Sequence, residues 1–135
     1  MISIAGITIS SPDIGMGHLV RTTQLLTSLD PKYFNFKIFG QIKSVPTWLD
    51  NFDHEIIDFE EIDLNLINEY DLVVFDSYWN RNILNKITTK KLIIDDLNHL
   101  GGSDSDIVLD YNFGSQKELY DEEKQLLVGP EFFPI

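Results

Sequence analysis

The sequence predicts an α/β fold, a parallel sheet with helices on both faces, and three observations carry that prediction. Short runs rich in Ile, Val and Phe alternate along the chain with segments whose apolar residues recur at helical spacing. One run, "DLVVFD" at 71–76, is almost continuously apolar with an acid at each end, the pattern of a strand covered on both faces. The first run passes through a glycine loop straight into a helix, the arrangement at which open parallel sheets bind ligands.

Taken in order, "MISIAGITIS" is apolar and β-branched enough for a buried first strand. In "DIGMGHLVRTTQLL" the glycines form a tight turn, and from His18 onward Leu19, Val20, Leu25, Leu26 and Leu29 are spaced for an amphipathic helix closed by Asp30-Pro31. "FNFKIFG" follows as a strand, "SVPTWLDNF" as a short helix with Pro46 in its first turn, and "HEIIDF" as the next strand. "EEIDLNLINEY" has helical spacing at Ile62, Leu66 and Ile67 and leads into "DLVVFD", the expected central strand. "NRNILNKITTK" reads as a helix, and "KLIIDD", "SDIVLDYN" and "QLLV" as further strands. Trp48, Phe52 and Phe59 fall on core faces. The chain then turns at Gly129-Pro130 and stops on Phe132, Phe133 and Ile135, more apolar than the end of a compact domain.

With 135 residues, positions 1–135 make a single domain, and 129–135 are expected to begin a linker to a missing C-terminal domain. The tail is expected to pack on that domain or on a second copy of the chain. No apolar run approaches the ~20 residues of a membrane span, and Met1–Ile9 has no basic flank of the kind a signal peptide carries, so a cytoplasmic location is expected. The absence of cysteine removes disulfides, thiolate metal sites and thiol nucleophiles together. Net charge is −12, with 10 acids against 4 bases in residues 1–70 and 12 against 6 in 71–135. A surface so evenly acidic repels phosphate backbones, so no nucleic-acid partner is expected.

The glycine loop is neither a P-loop, because no Gly-Lys-Ser/Thr follows, nor a dinucleotide fingerprint, because Val20 stands where the third glycine belongs. Gly15 and Gly17 alone require only a turn with positive φ. His18 in the first helical turn adds chemistry: the positive end of a helix favours a neutral imidazole, which can accept a proton. Arg21, three residues on, shares its helix face and would supply a phosphate or carboxylate clamp. The plainer alternatives are that His18 caps backbone groups and that Arg21 pairs with one of the many acids.

"FDSYWN" ends the central strand at the same sheet edge, where Asp76, Ser77 and Tyr78 would face the crevice, Tyr78 as a substrate hydrogen-bonder or stacking ring. Asp76 and Ser77 are also ordinary helix N-cap types, and that role outweighs a functional one. Asp95 and Asp96 end another strand at this edge, from which Asp96 is expected to reach the substrate, the plainer alternative being that both are solvated loop acids. The acids of "IIDDLNHLGGSDSDIVLD" lack calcium-loop spacing, and His54 and His99 have no partner pattern, so neither a metal nor an organic cofactor is expected.

"IGMGHLVRTTQLLTSL", "DLVVFDSYW", "KLIIDDLN", "SDIVLDYNF" and "LLVGPEFFPI", in that order, resemble the N-terminal half of the UDP-sugar hydrolase of pseudaminic acid biosynthesis and its spore-coat polysaccharide relatives. The most specific part is the Gly-x-Gly-His-x-x-Arg block. The resemblance implies a Rossmann-like domain of the GT-B N-terminal type, facing across a cleft a C-terminal domain that holds most of the nucleotide. It implies that His18 activates water for removal of UDP and that Tyr78 is a cleft tyrosine, while Arg21 matches the motif arginine. Where the family's first strand commonly ends with an arginine and an acid, Ile7 and Ile9 stand here. The function expected is a nucleotide-sugar-processing enzyme of surface polysaccharide or nonulosonic acid biosynthesis, most closely a UDP-sugar hydrolase with a nucleotide-sugar or sugar substrate. The alternatives are a GT-B glycosyltransferase acceptor domain and a non-catalytic sugar-binding or assembly module.

Overall fold

The structure, a computed structural model, describes residues 1–77, 81–94, 107–110 and 125–128. The runs expected to be strands are strands: β1 (Ile2–Ser10), β2 (Phe34–Ile42), β3 (His54–Ile56), β4 (Leu72–Asp76), β5 (Lys90–Ile94), β6 (Ile107–Asp110) and β7 (Gln125–Val128). They form one sheet in the order β3-β2-β1-β4-β5-β6-β7, with every neighbouring pair parallel. The order runs one way from β1 to β3 and the other way from β4 to β7. The β1/β4 boundary is therefore the switch point of a Rossmann-like α/β sheet, where a crevice opens at the strands' C-terminal ends.

Alternation along each strand divides the core into two layers. Ala5, Ile7 and Ile9 of β1, Phe39 of β2, Val73 and Phe75 of β4 and Ile93 of β5 pack on one face with Phe59, Ile62, Ile67, Ile83, Leu84 and Ile87. Ile4, Ile38, Val74 and Ile94 pack on the other with Leu19 and Leu26 of helix α1 (Gly17–Thr27) and with Leu49. Trp48 and Phe52 pack against this second layer, with their rings edge to face, and Phe59 packs in the first. Ile7 and Ile9 are thus apolar core on the face away from α1.

The segments joining the strands differ from expectation in kind. "SVPTWLDNF" holds a 3-10 turn at Thr47–Asn51, and the region from Arg81 holds another at Arg81–Lys86, in place of α-helices. "EEIDLNLINEY" is divided into a 3-10 turn, Phe59–Glu61, and a one-turn helix α2 (Leu64–Ile67). The division falls at Asp63, whose Oδ1 accepts from the backbone N–H of Asn65 and Leu66 and starts a new helix there. Ile62 and Ile67 are buried as expected, but this break in the helix leaves Leu66 exposed. 3-10 geometry spans more distance per residue than an α-helix, which suits connections of this length.

α1 begins where expected but ends at Thr27, short of Leu29 and Asp30-Pro31, and it is rotated relative to the expected apolar face. Leu19 and Leu26 are buried and Leu25 is half-buried, whereas Val20 is exposed and Thr22 and Thr23 are buried in its stead. Thr23 satisfies its hydroxyl within the helix by donating to the Leu19 carbonyl at 2.8 Å. Thr22 faces the site described below. Among the described residues no helix is long and apolar enough to cross a membrane.

Candidate functional site at the switch point

The β1 face beneath α1 runs Ile4, Gly6, Thr8, Ser10, from apolar through small to polar as it approaches the C-terminal edge. Gly6 lets the helix come close: a Cβ there would lie 2.8 Å from Leu26 Cδ1 and 3.3 Å from Thr22 Cγ2. On β4 the same face carries Leu72, Val74 and then Asp76, whose register partner on β1 is Thr8. An acid thereby ends a buried strand directly under the first two turns of α1.

Asp76 is fully buried, and four polar atoms from α1 reach its carboxylate. His18 Nδ1 lies 2.6 Å from Oδ1. Arg21 forms a two-pronged fork, with Nη2 2.5 Å from Oδ1 and Nε 2.5 Å from Oδ2. Thr22 Oγ1 donates to Oδ2 at 3.3 Å. The Asp76 backbone carbonyl accepts from Thr8 Oγ1 at 3.3 Å, which ties the strand end to β1. Positions 18, 21 and 22 fall on one arc of a helix, three and four residues apart, so a single helix face delivers all three side chains to one carboxylate. The His18 ring is itself 6% exposed. Formal charges on Asp76 and Arg21 cancel, which is what allows a carboxylate to be held out of water here.

The loop that aims α1 is built by local hydrogen bonds. Gly15 N–H donates to the Ser11 carbonyl at 2.7 Å, and Ile14 N–H donates to Ser11 Oγ at 3.1 Å. Gly15 has φ of 86°, the left-handed conformation expected of this turn. Gly17 is the first residue of α1, without a positive φ. Met16 is the N-cap and its side chain makes no capping hydrogen bond, while His18 reaches the sheet at Asp76. A depression of about 260 Å³ opens beside this loop, bounded by Ser11, Pro12, Gly15, Met16, Lys43 and Ser44.

The structure thus brings His18 and Arg21 together as the spacing suggests, and it commits one edge of the Arg21 guanidinium to Asp76. Tyr78 and Asp96 lie outside the described residues, as do His99 and the Phe132, Phe133 and Ile135 tail. His54 is remote from the site, and its Nδ1 donates to the Phe52 carbonyl at 2.9 Å. Ser77 is buried beside Asp76. Asp76, read from the sequence mainly as an N-cap type, is the centre of the cluster. The signal that would have found it is strand parity: residues 72, 74 and 76 share a face, and that face meets the helix after β1. Among the described residues no group of three His, Asp or Glu side chains converges as a metal site would require.

No protein-family model matches the chain, and no curated protein matches it significantly. Its chemistry is therefore argued from the cluster itself: a buried imidazole anchored by a charge-compensated carboxylate, at the edge of the sheet where α/β folds hold their ligands.

Proposed function

We propose that the chain is the catalytic-base side of a nucleotide-sugar-processing enzyme of surface polysaccharide or nonulosonic acid biosynthesis, a hydrolase that removes UDP from a sugar. The observation that carries this reading is the 2.6 Å contact from His18 Nδ1 to the buried Asp76 at the β1/β4 switch point. It is the arrangement of an imidazole held for proton transfer. The order of motifs along the chain, from Gly-x-Gly-His-x-x-Arg to "LLVGPEFFPI", supplies the substrate class.

In this reading water attacks the linkage between sugar and UDP, His18 takes a proton from that water, and UDP departs. Gly15 and Gly17 leave the loop without side chains where the substrate approaches, and no Cβ added at either would meet an atom within 4 Å. Tyr78 and Asp96 would contact the sugar. The resemblance assigns nucleotide binding mainly to a C-terminal domain, in keeping with the lack of a P-loop or dinucleotide fingerprint in this chain and its charge of −12.

The test is to express the reading frame that carries this chain, incubate the product with a panel of UDP-sugars and measure free UDP. Release of UDP into water, lost on His18 substitution, supports the reading. Transfer of the sugar to an added hydroxyl acceptor without hydrolysis would overturn it in favour of a glycosyltransferase.

A further inference from the structure

Arg21 Nε, Arg21 Nη2 and Thr22 Oγ1 donate to the Asp76 carboxylate, and His18 Nδ1 faces Oδ1 at 2.6 Å. A carboxylate compensated by a guanidinium only accepts, and that determines what His18 must do. Its Nδ1 lies 2.6 Å from Oδ1 and 3.1 Å from Arg21 Nη2. A bare Nδ1 lone pair would face a carboxylate oxygen at a distance suited only to a shared proton, whereas an N–H there donates to that oxygen. The 3.1 Å approach of Arg21 then brings together two donors converging on the same acceptor.

We infer that Asp76 is a positioning residue that holds His18 in the Nδ1–H tautomer, placing the lone pair on Nε2, the nitrogen on the side of the ring away from the carboxylate. Arg21 is the second half of the device. Its fork fixes the plane of the carboxylate and compensates its charge, so Oδ1 is presented to the ring in one orientation. The catalytic meaning of this tautomer rests on the reading of His18 as a base: a neutral imidazole accepts a proton only at the nitrogen that lacks one. The assignment itself does not rest on that reading, because it follows from the donor and acceptor inventory of the cluster.

In Asp76→Asn one oxygen becomes an NH2, and the remaining oxygen goes to the guanidinium fork, where the charge-assisted bond is stronger. The NH2 is then left facing Nδ1, which must accept, and the ring proton moves to Nε2. The geometry of the cluster is kept while the lone pair is placed on the wrong side.

The experiment is long-range 1H–15N correlation NMR on the ligand-free 135-residue chain, read at a pH where the spectrum itself shows each ring carrying a single proton. Signals are assigned with His54→Gln and His99→Gln variants. His18 is expected to show a protonated Nδ1 and a bare Nε2, the reverse in Asp76→Asn, and an unchanged tautomer in Arg21→Gln, where the carboxylate still accepts. A wild-type His18 protonated at Nε2 would overturn the proposal, as would Asp76→Asn remaining Nδ1–H or Arg21→Gln exchanging. Should Asp76→Asn fail to fold, the wild-type spectrum and Arg21→Gln still decide. Because no substrate is present, failure of the tautomer assignment is distinct from failure to release UDP.

Discussion

His18 and Asp76 are separated by 58 positions in the chain, yet Nδ1 of one lies 2.6 Å from Oδ1 of the other in the buried wedge between α1 and the sheet. The contact joins the first turn of α1 to the end of β4, at the boundary where the sheet order reverses. Most of what can be tested about this protein follows from that contact.

Substitution of His18 should separate chemistry from folding. His18→Gln keeps an N–H2 group able to donate to Asp76 but removes the proton acceptor, so turnover in the proposed reaction should fall by roughly 10²–10⁴-fold. The melting temperature should stay close to wild type. His18→Ala, which also empties a nearly buried site and leaves the carboxylate one donor short, should cost about 1–3 kcal/mol in addition. UDP release and thermal melting on the same preparations check both. Wild-type turnover in a destabilised His18→Ala protein would assign the ring a purely structural role.

Asp76→Ala should be among the most damaging single changes in the chain. It leaves the Arg21 guanidinium, with a side chain 13% exposed, without the carboxylate that compensates it. Breaking a buried pair from one side costs about 3–5 kcal/mol. The expected signature is a lower urea midpoint with an unchanged denaturant slope. A loss below about 1 kcal/mol would mean that water reaches the guanidinium readily and that the cluster is weaker than its geometry implies.

The two loop glycines, a pair in the sequence, should behave differently. Gly15→Ala places a side chain on a backbone with φ of 86° and should destabilise by about 1–2 kcal/mol, although the space around it is open. Gly17→Ala adds a methyl group at the first residue of α1, also in open space, and should leave stability within about 0.5 kcal/mol of wild type. If Gly17→Ala is fully stable and yet binds the proposed substrate weakly, the glycine serves the approach of that substrate. Chemical denaturation of both variants beside a KM measurement separates the two roles.

At the opposite end of β4, Asp71 gives the fold a pH dependence. Its Oδ2 accepts from the Ser3 backbone N–H at 2.8 Å and from Ser3 Oγ at 3.1 Å, and these bonds hold its carboxyl below the ordinary value of 3.8. A group lowered on folding contributes stability that is present above its unfolded pKa and is lost as pH falls through the folded one. Asp71→Asn should therefore lower the melting temperature slightly at neutral pH, with the difference from wild type closing as pH falls below about 4. The exposed position of the carboxyl keeps the effect small. A constant difference down to about pH 2 would show that the shape of the side chain, not its charge, holds β1 to β4.

The sequence by itself determined the α/β class, the succession of seven strands, the turn at Gly15 and the place of His18 in the first turn of α1. These properties are local: strand runs, helical spacing and a glycine that must adopt positive φ are each written within about ten neighbouring residues. Crossover geometry was less legible, since a helical spacing at Ile62 and Ile67 is met equally well by a 3-10 turn followed by a capped single turn. Asp76 was the residue whose role only tertiary structure decided. Its neighbours in the chain permit an N-cap, and nothing local distinguishes that from a buried anchor. Parallel pairing of β1 with β4, in a register that sets Thr8 opposite Asp76, brings the strand end under His18, Arg21 and Thr22. Strand order and register are set by how both core layers pack over the whole sheet, and a contact between residues 58 positions apart exists only once that packing has been chosen.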